Sequence, residues 1–223
     1  MTTAANYTAA AWARGQITPA DVAELVRAWQ AAHGLDPDGK AGPLTRGSWP
    51  WRATTATPAP ASFPAQTPSA LGLRALEVAV GELGRGEIGG NNSGADVARY
   101  HGIADDGDDD DDGAWCAAFV GWCYQQAAGG RDALPFKRSG GAKVLFQRVA
   151  AAGARVRYPA PGDVVCWHRG DPKGWQGHIG IVEHFDGALV HTIEGNTGRY
   201  PSKVRRLVRD FADPNLVGFA RAP

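Results

Sequence analysis

Cys116 combines a reactive residue type with a position that would activate it. It opens the segment CAAFVGWC, whose apolar spacing predicts a helix that begins close to the cysteine. Backbone N–H groups and the positive end of the helix dipole in a first turn favour a thiolate and lower its pKa. We therefore interpret Cys116 as a nucleophile, whereas Cys123 and Cys166 are typical of buried core thiols.

His178 is the candidate base for this thiol. The segments HIGIVEH and ALVHTIE flank residues 185–187 (FDG), which predicts a β-hairpin with a three-residue loop. In that register His178 faces Glu194, which can accept the second ring N–H and orient the imidazole. Asn196 is expected on the same face as a further polar member. A two-residue turn would instead place Gly195 opposite His178, and this alternative stays open.

A second cluster with possible chemistry is the acidic run, residues 105–113 (DDGDDDDDG), directly before the Cys116 helix. Asp108, Asp110 and Asp112 have the spacing of the front half of an EF-hand loop, but Phe119 occupies the position of the bidentate glutamate. Uncompensated carboxylates here would raise the pKa of Cys116, and a bound cation would reverse that effect. A calcium site and a solvated loop both remain open.

The elements that must position these residues form two groups. Helices are predicted over 73–84, from Ser93, from Cys116 and from Ser139, the first with Leu73, Leu76, Val80 and Leu83 on its apolar face. From about residue 155 the chain changes to short β-branched segments bounded by turn residues, namely DVVCW, HIGIVEH, ALVHTIE, KVRRLVR and NLVGFA. Helices followed by strands predict an α+β domain, with helices packed on an antiparallel sheet.

Composition excludes several classes of protein. Lys+Arg and Asp+Glu both number 23, so the net charge is zero and nucleic acid is not an expected partner. No segment has the pattern of a signal peptide or a membrane span, and three separated cysteines imply no disulfide framework. We expect a monomer made in the cytoplasm, without stable membrane association, that acts outside the cytoplasm only after release or injection.

The first part of the chain predicts a small all-α module. Residues 1–49 contain one amphipathic helix and a turn-rich segment, and the Pro/Ala/Thr-rich stretch 50–69 predicts a linker to the domain 70–223. The motifs resemble the type 1 peptidoglycan-binding module at Trp29-Gln30, Gly34-Leu35, Asp38-Gly39, Gly42-Pro43 and Thr45. Alternatively, these motifs are turns of an unrelated small bundle.

The larger part resembles the CHAP family of cysteine- and histidine-dependent amidohydrolases and peptidases, through WCAAFVGWC, PGDVVCW, GHIGIV and EGN. The resemblance implies a papain-like fold, with Cys116 as nucleophile, His178 as general base and acid, Glu194 as orienting group and Asn196 as a polar member. Family members cleave the N-acetylmuramoyl–L-alanine amide or peptide bonds of peptidoglycan, with no cofactor required. Some CHAP lysins bind calcium near the cysteine, which bears on the acidic run.

Two further features suggest roles at the same site. Tyr100 is a candidate oxyanion donor, and the loop with Glu87, Asn91 and Asn92 either lines the substrate groove or merely leads into a helix. The resulting hypothesis is a peptidoglycan hydrolase, most simply a bacteriophage endolysin. The alternatives are an antibacterial effector or host autolysin with the same chemistry, an inactive wall-binding protein, and an enzyme that transfers the acyl group to an acceptor other than water.

Overall fold

The computed structural model describes residues 19–40, 66–102 and 113–223. The helices are α1 (Pro19–Ala32), α2 (Ala70–Gly81), α3 (Ala95–His101), α4 (Cys116–Ala128) and α5 (Ala142–Ala152). The strands are β1 (Ala154–Val156), β2 (Val164–His168), β3 (Gly177–Phe185), β4 (Leu189–Thr197), β5 (Lys203–Asp210) and β6 (Leu216–Arg221). All five predicted strands are present, while the short β1 was not anticipated. The α+β class is confirmed.

The strands form one antiparallel sheet in the order β1-β6-β2-β3-β4-β5. Alternate residues of β2 enter two different apolar clusters, as strand geometry requires. Val164 and Cys166 join the main core beneath the helices, whereas Val165 and Trp167 join a smaller cluster on the opposite face. The sheet therefore separates a thick helical layer from a thin apolar one.

Helix α4 is the centre of the main core. It begins at Cys116, as predicted, and is followed by Gly129 in the left-handed conformation, with φ of 84°. Every residue from Cys116 to Gln125 is buried, on all sides of the helix. The reason is that α4 packs against β3 and β4 on one side and against α2 and α3 on the others.

Helix α2 buries a different face from the predicted one. Leu73 and Val80, assigned to the apolar face, are 39% and 38% exposed. A β-carbon at Gly72 would lie 2.7 Å from the carbonyl oxygen of Gly162, so this helix approaches its neighbours too closely for large side chains. The face that packs inward is accordingly made mostly of small residues: Leu71, Gly72, Ala75 and Ala79.

Two predicted helix starts lie slightly too early. Helix α3 follows Gly94 and α5 follows Gly141, and neither helix has a side-chain cap. Ser93 instead donates to the Asn91 carbonyl, while Ser139 accepts from the backbone N–H of Gly141. Both serines stabilise the preceding turn rather than cap the helix.

The β3–β4 hairpin has a different register from the expected one. Phe185 pairs with Val190, which leaves four residues, 186–189, between the paired positions instead of the three predicted, and a bulge lies at Glu183. Beyond the bulge, Val182 pairs with Thr192 instead of Val190. The shift is three residues beside the loop and two beyond the bulge, and a shift of two keeps His178 and Glu194 on one face.

In the N-terminal segment, the motifs that resemble a wall-binding module are joined by one side chain. Gln30 donates to the Asp38 carboxylate (2.9 Å) and to the Lys40 carbonyl (3.2 Å), and it accepts from the Gly39 N–H (2.9 Å). Helix α1 bears out the predicted helix, whereas Gly42-Pro43, Thr45 and nearly all of the linker lie outside the described residues. Within the described ranges, no helix is long and apolar enough to cross a bilayer.

Candidate active site

Cys116 lies at the tip of α4 and lines an open cleft of about 330 Å³. Its side chain is nearly buried, with 3% exposed. The loops before α5 and between β2 and β3 form the other walls, so the thiol lies at the floor of a groove between helical and sheet layers. Other residues that line the cleft are Ala114, Gly140, Gly141, Arg169, Trp175 and Gly177.

His178, near the start of β3, faces Glu194 of β4. Its Nε2 is 2.7 Å from Oε2 of the carboxylate, and both side chains are buried. The altered register makes Glu194 a diagonal neighbour of His178 rather than the residue directly opposite, which a long side chain can span. Gly180 leaves the necessary space, since a β-carbon there would lie 2.6 Å from Cγ of Glu194.

Glu194 is held ionised by three neighbours. Arg209 of β5 donates from Nε to Oε1 (3.0 Å) and from Nη2 to Oε2 (2.8 Å), and the Thr192 hydroxyl donates to Oε1 (2.6 Å). Burial opposes ionisation, but the charges of Arg209 and His178 and their hydrogen bonds hold the pKa of Glu194 well below its usual range. The site thus contains a fixed negative charge behind the imidazole.

The charges at the site favour a thiolate–imidazolium pair. Burial disfavours the charged form of each group. For Cys116, the charge of His178, a hydrogen bond with its ring and the charge of Arg169 outweigh burial and lower the thiol pKa. For His178, attraction to Glu194 and Cys116 outweighs burial and raises the ring pKa. The two shifts have the directions that a nucleophile–base pair needs.

The other thiols behave differently. Cys123 and Cys166 are fully buried, and burial raises the pKa of both, that of Cys166 to about 12. Both therefore remain protonated at neutral pH, in agreement with the interpretation as core residues. Cys116 is the one cysteine whose surroundings lower its pKa.

Asn196 lies in a bulge between β4 and β5, with φ of 57°. Its half-buried side chain makes no hydrogen bond with His178 or any other described residue. The extra residue in the bulge interrupts the alternation from which the shared face with Glu194 was predicted. Asn196 therefore lies near the site without joining the hydrogen-bond chain.

The structure contradicts the role suggested for Tyr100 and one of the two interpretations of the loop that contains Glu87. The Tyr100 hydroxyl is buried and donates to Glu82 (2.7 Å), so it is not an oxyanion donor. Glu87 does not line the groove, because its carboxylate is buried and accepts from Trp115 Nε1 (3.2 Å) and from two backbone N–H groups, those of Asn92 (2.9 Å) and Ser202 (2.6 Å). Glu87 instead anchors the residue that precedes Cys116.

Sequence reasoning missed three residues of the site. Thr192 had a usable signal, since it lies two residues before Glu194 and so shares its face. Arg209 could be placed only with the register of β5, and Arg169 only with the path of the β2–β3 loop. The side chain of Arg169 is exposed, and its Nη2 is 2.9 Å from Nδ1 of His178.

Asp108, Asp110 and Asp112 lie outside the described residues, so the calcium site stays a prediction. Among the residues that are described, no group of three or more His, Cys, Asp or Glu side chains could hold a metal ion.

Comparison with known proteins points to the same chemistry. No curated protein matches the chain. Residues 108–196 match the family model of the CHAP domain, a span that contains Cys116, His178, Glu194 and Asn196. CHAP domains are typically cysteine- and histidine-dependent amidohydrolases or peptidases. The segment that carries the site is therefore similar to the CHAP domain, and the match supports a cell-wall hydrolase.

Proposed function

We propose that this protein hydrolyses an amide bond of bacterial peptidoglycan, with Cys116 as nucleophile, His178 as general base and acid, and Glu194 as the group that orients the imidazole. The observation that carries the proposal is the continuous chain from the thiol at the tip of α4 through His178 to the buried, ionised Glu194. The CHAP match supports peptidoglycan as the substrate.

In the first half-reaction the thiolate attacks the amide carbonyl and forms a carbon–sulfur bond. Backbone N–H groups at the start of α4 are free of intrahelical partners and can stabilise the oxyanion. His178 then donates its proton to the amide nitrogen, the carbon–nitrogen bond breaks, and the amine leaves. The product on the enzyme is a thioester at Cys116.

In the second half-reaction water adds to the thioester carbon and gives its proton to His178. The carbon–sulfur bond breaks, the carboxylic acid leaves, and the thiolate–imidazolium pair is restored. Glu194 keeps its negative charge throughout and stabilises the imidazolium. An acceptor other than water would yield transfer instead of hydrolysis at this step.

The test is digestion of purified sacculi of defined structure, followed by mass spectrometry of the released fragments. A new L-alanine amine identifies an N-acetylmuramoyl–L-alanine amidase, whereas a cleaved stem or cross-bridge identifies an endopeptidase. Cys116→Ala is expected to abolish release, and Cys123→Ala, a matched change on the same helix, is expected to retain it. Equal release by Cys116→Ala and the wild type would refute the proposal.

For the biological role we propose a bacteriophage endolysin, in which residues 1–49 hold the wall while residues 70–223 cut it. The segment 1–49 is expected to bind sacculi in the inactive Cys116→Ala protein, and its deletion is expected to weaken that binding. If the wild type lyses sacculi but residues 1–49 do not bind them, the wall-binding part of the proposal is refuted and only the hydrolase part stands. A holin gene beside the coding region would support the phage role, and an immunity gene would support the effector.

A further inference from the structure

Arg169 is placed at the cleft in a way that hydrolysis alone does not require. Among the described residues that line the cleft, it carries the only formal charge besides the reacting thiol. Its side chain is exposed, and its only hydrogen-bond partner in the described chain is Nδ1 of His178. A guanidinium is always charged and pairs preferentially with carboxylates. The charge of Arg169 favours the Cys116 thiolate, but among the described residues the guanidinium has no carboxylate partner.

The contact between Arg169 and His178 is also incompatible with the reaction. Arg169 can donate to Nδ1 only while that nitrogen has a free lone pair, with Nε2 donating to Glu194. In the thiolate–imidazolium pair both ring nitrogens carry a proton, so the ring and the guanidinium would be two cations at 2.9 Å. Arg169 must therefore leave Nδ1 for that pair to form, and its exposed side chain is free to do so.

We propose that Arg169 binds a carboxylate of the peptide substrate, and that this contact draws the guanidinium away from His178. The ligand class is a peptide with a free carboxylate close to the scissile amide. The separation is one or two residues, because Arg169 starts within hydrogen-bond distance of the base and a residue spans about 3.5 Å. Trp175, 56% exposed on the same wall, offers an apolar surface beside that carboxylate.

This inference rests on the proposed function, since it assigns the recognition step of the same hydrolase. The enzyme would select substrates by charge, because a peptide with an amide in place of the carboxylate cannot draw Arg169 away from His178. Loss of Arg169 would also remove a positive charge from the neighbourhood of Cys116 and shift thiolate formation to higher pH.

The test compares native sacculi with sacculi whose carboxyl groups have been converted to amides with carbodiimide and ammonium. The wild type is expected to lose about 10- to 100-fold in kcat/KM on the amidated substrate, as for loss of one charge-assisted hydrogen bond. On native sacculi, Arg169→Gln is expected to have a kcat/KM about 10- to 100-fold below that of the wild type, mainly through a higher apparent KM. It is expected to hydrolyse native and amidated sacculi with the same kcat/KM. Arg169→Lys should recover part of the discrimination, and Arg157→Gln, at an exposed position outside the cleft, should match the wild type.

Equal rates of the wild type on the two substrates would overturn the inference, as would an Arg169→Gln enzyme that keeps the wild-type ratio. Reaction of Cys116 with iodoacetamide verifies that each variant retains its site. If the wild type and Cys116→Ala both leave native sacculi intact, the proposed function itself fails, which is a different result from lost discrimination.

Discussion

Replacement of Glu194 by glutamine removes the buried negative charge behind His178 while it preserves the shape of the side chain. His178 loses the anion that contributes most to its raised pKa. Arg209 loses its ionic partner, to which it now donates two hydrogen bonds. The variant therefore tests whether the carboxylate sets the charge state of the thiol–imidazole pair.

The expected magnitudes follow from burial. Loss of one partner of a buried ion pair costs about 3–5 kcal/mol, but the Arg209 side chain is 30% exposed and water compensates part of that loss. We expect the free energy of unfolding to fall by about 2–3 kcal/mol. Loss of the acidic partner of a catalytic histidine lowers kcat by up to about 10⁴-fold, so we expect a decrease of about 10²- to 10⁴-fold.

The pH dependence of alkylation of Cys116 by iodoacetamide is the most direct assay, because it needs no substrate. In Glu194→Gln the imidazolium is less stable, so the thiolate should form at higher pH than in the wild type. Glu183→Gln is a matched control, since Glu183 also accepts from an arginine, Arg206, at 2.9 and 3.0 Å but lies outside the site. Its alkylation profile should be unchanged.

Stability should respond to pH with a definite sign. The pKa of Glu194 is lower in the folded than in the unfolded protein, so its contribution is complete above about pH 4.5 and is lost as the pH falls towards the folded pKa. Urea unfolding of Glu194→Gln should therefore depend less on pH below that value. An unshifted alkylation profile together with wild-type stability would refute this account of Glu194.

Three further outcomes are expected. Gly180→Ala should displace Glu194 and lower both activity and stability, the latter by about 1–3 kcal/mol, while Gly81→Ala, with open space around it, should be neutral or stabilising by calorimetry. Glu87→Gln should loosen Trp115 and lower the alkylation rate of the adjacent thiol, and an unchanged rate would refute the anchoring role. If the acidic run binds calcium, EDTA should lower both the lytic rate and Tm, and unchanged values would leave it a solvated loop.

The sequence predicted contacts better than it predicted register. The period-two pattern of β3 and β4 was sufficient to bring His178 and Glu194 to one face, because a shift by two residues preserves that face. The same pattern could not locate the bulge at Glu183, since one extra residue depends on local twist. The bulge at Asn196 could not be predicted for the same reason. The strand alternation that predicted a shared face for Asn196 and Glu194 therefore does not hold there.

Helix faces were harder to predict where packing is tight. On α2 the large residues gave the stronger pattern, yet the close approach to Gly162 selects the small ones, and Leu73 remains exposed. The position of Cys116 at a helix start was predicted, because the chain before it is too polar to continue an apolar helix. Arg169 and Arg209 depend on long-range geometry that no local pattern contains.

The catalytic residues are supported by two different apolar layers, one on each face of the sheet. The sulfur is carried by α4 and the thick layer, whereas the imidazole and carboxylate belong to strand positions that alternate with Ile179 and Ile193 and so adjoin the thin layer of Val182 and Trp167. Substitutions that disrupt the packing of the thin layer would misalign His178, while the larger helical layer would stay folded. Such a protein would keep a sharp melting transition, yet its thiol would be alkylated only at higher pH and it would turn over no substrate.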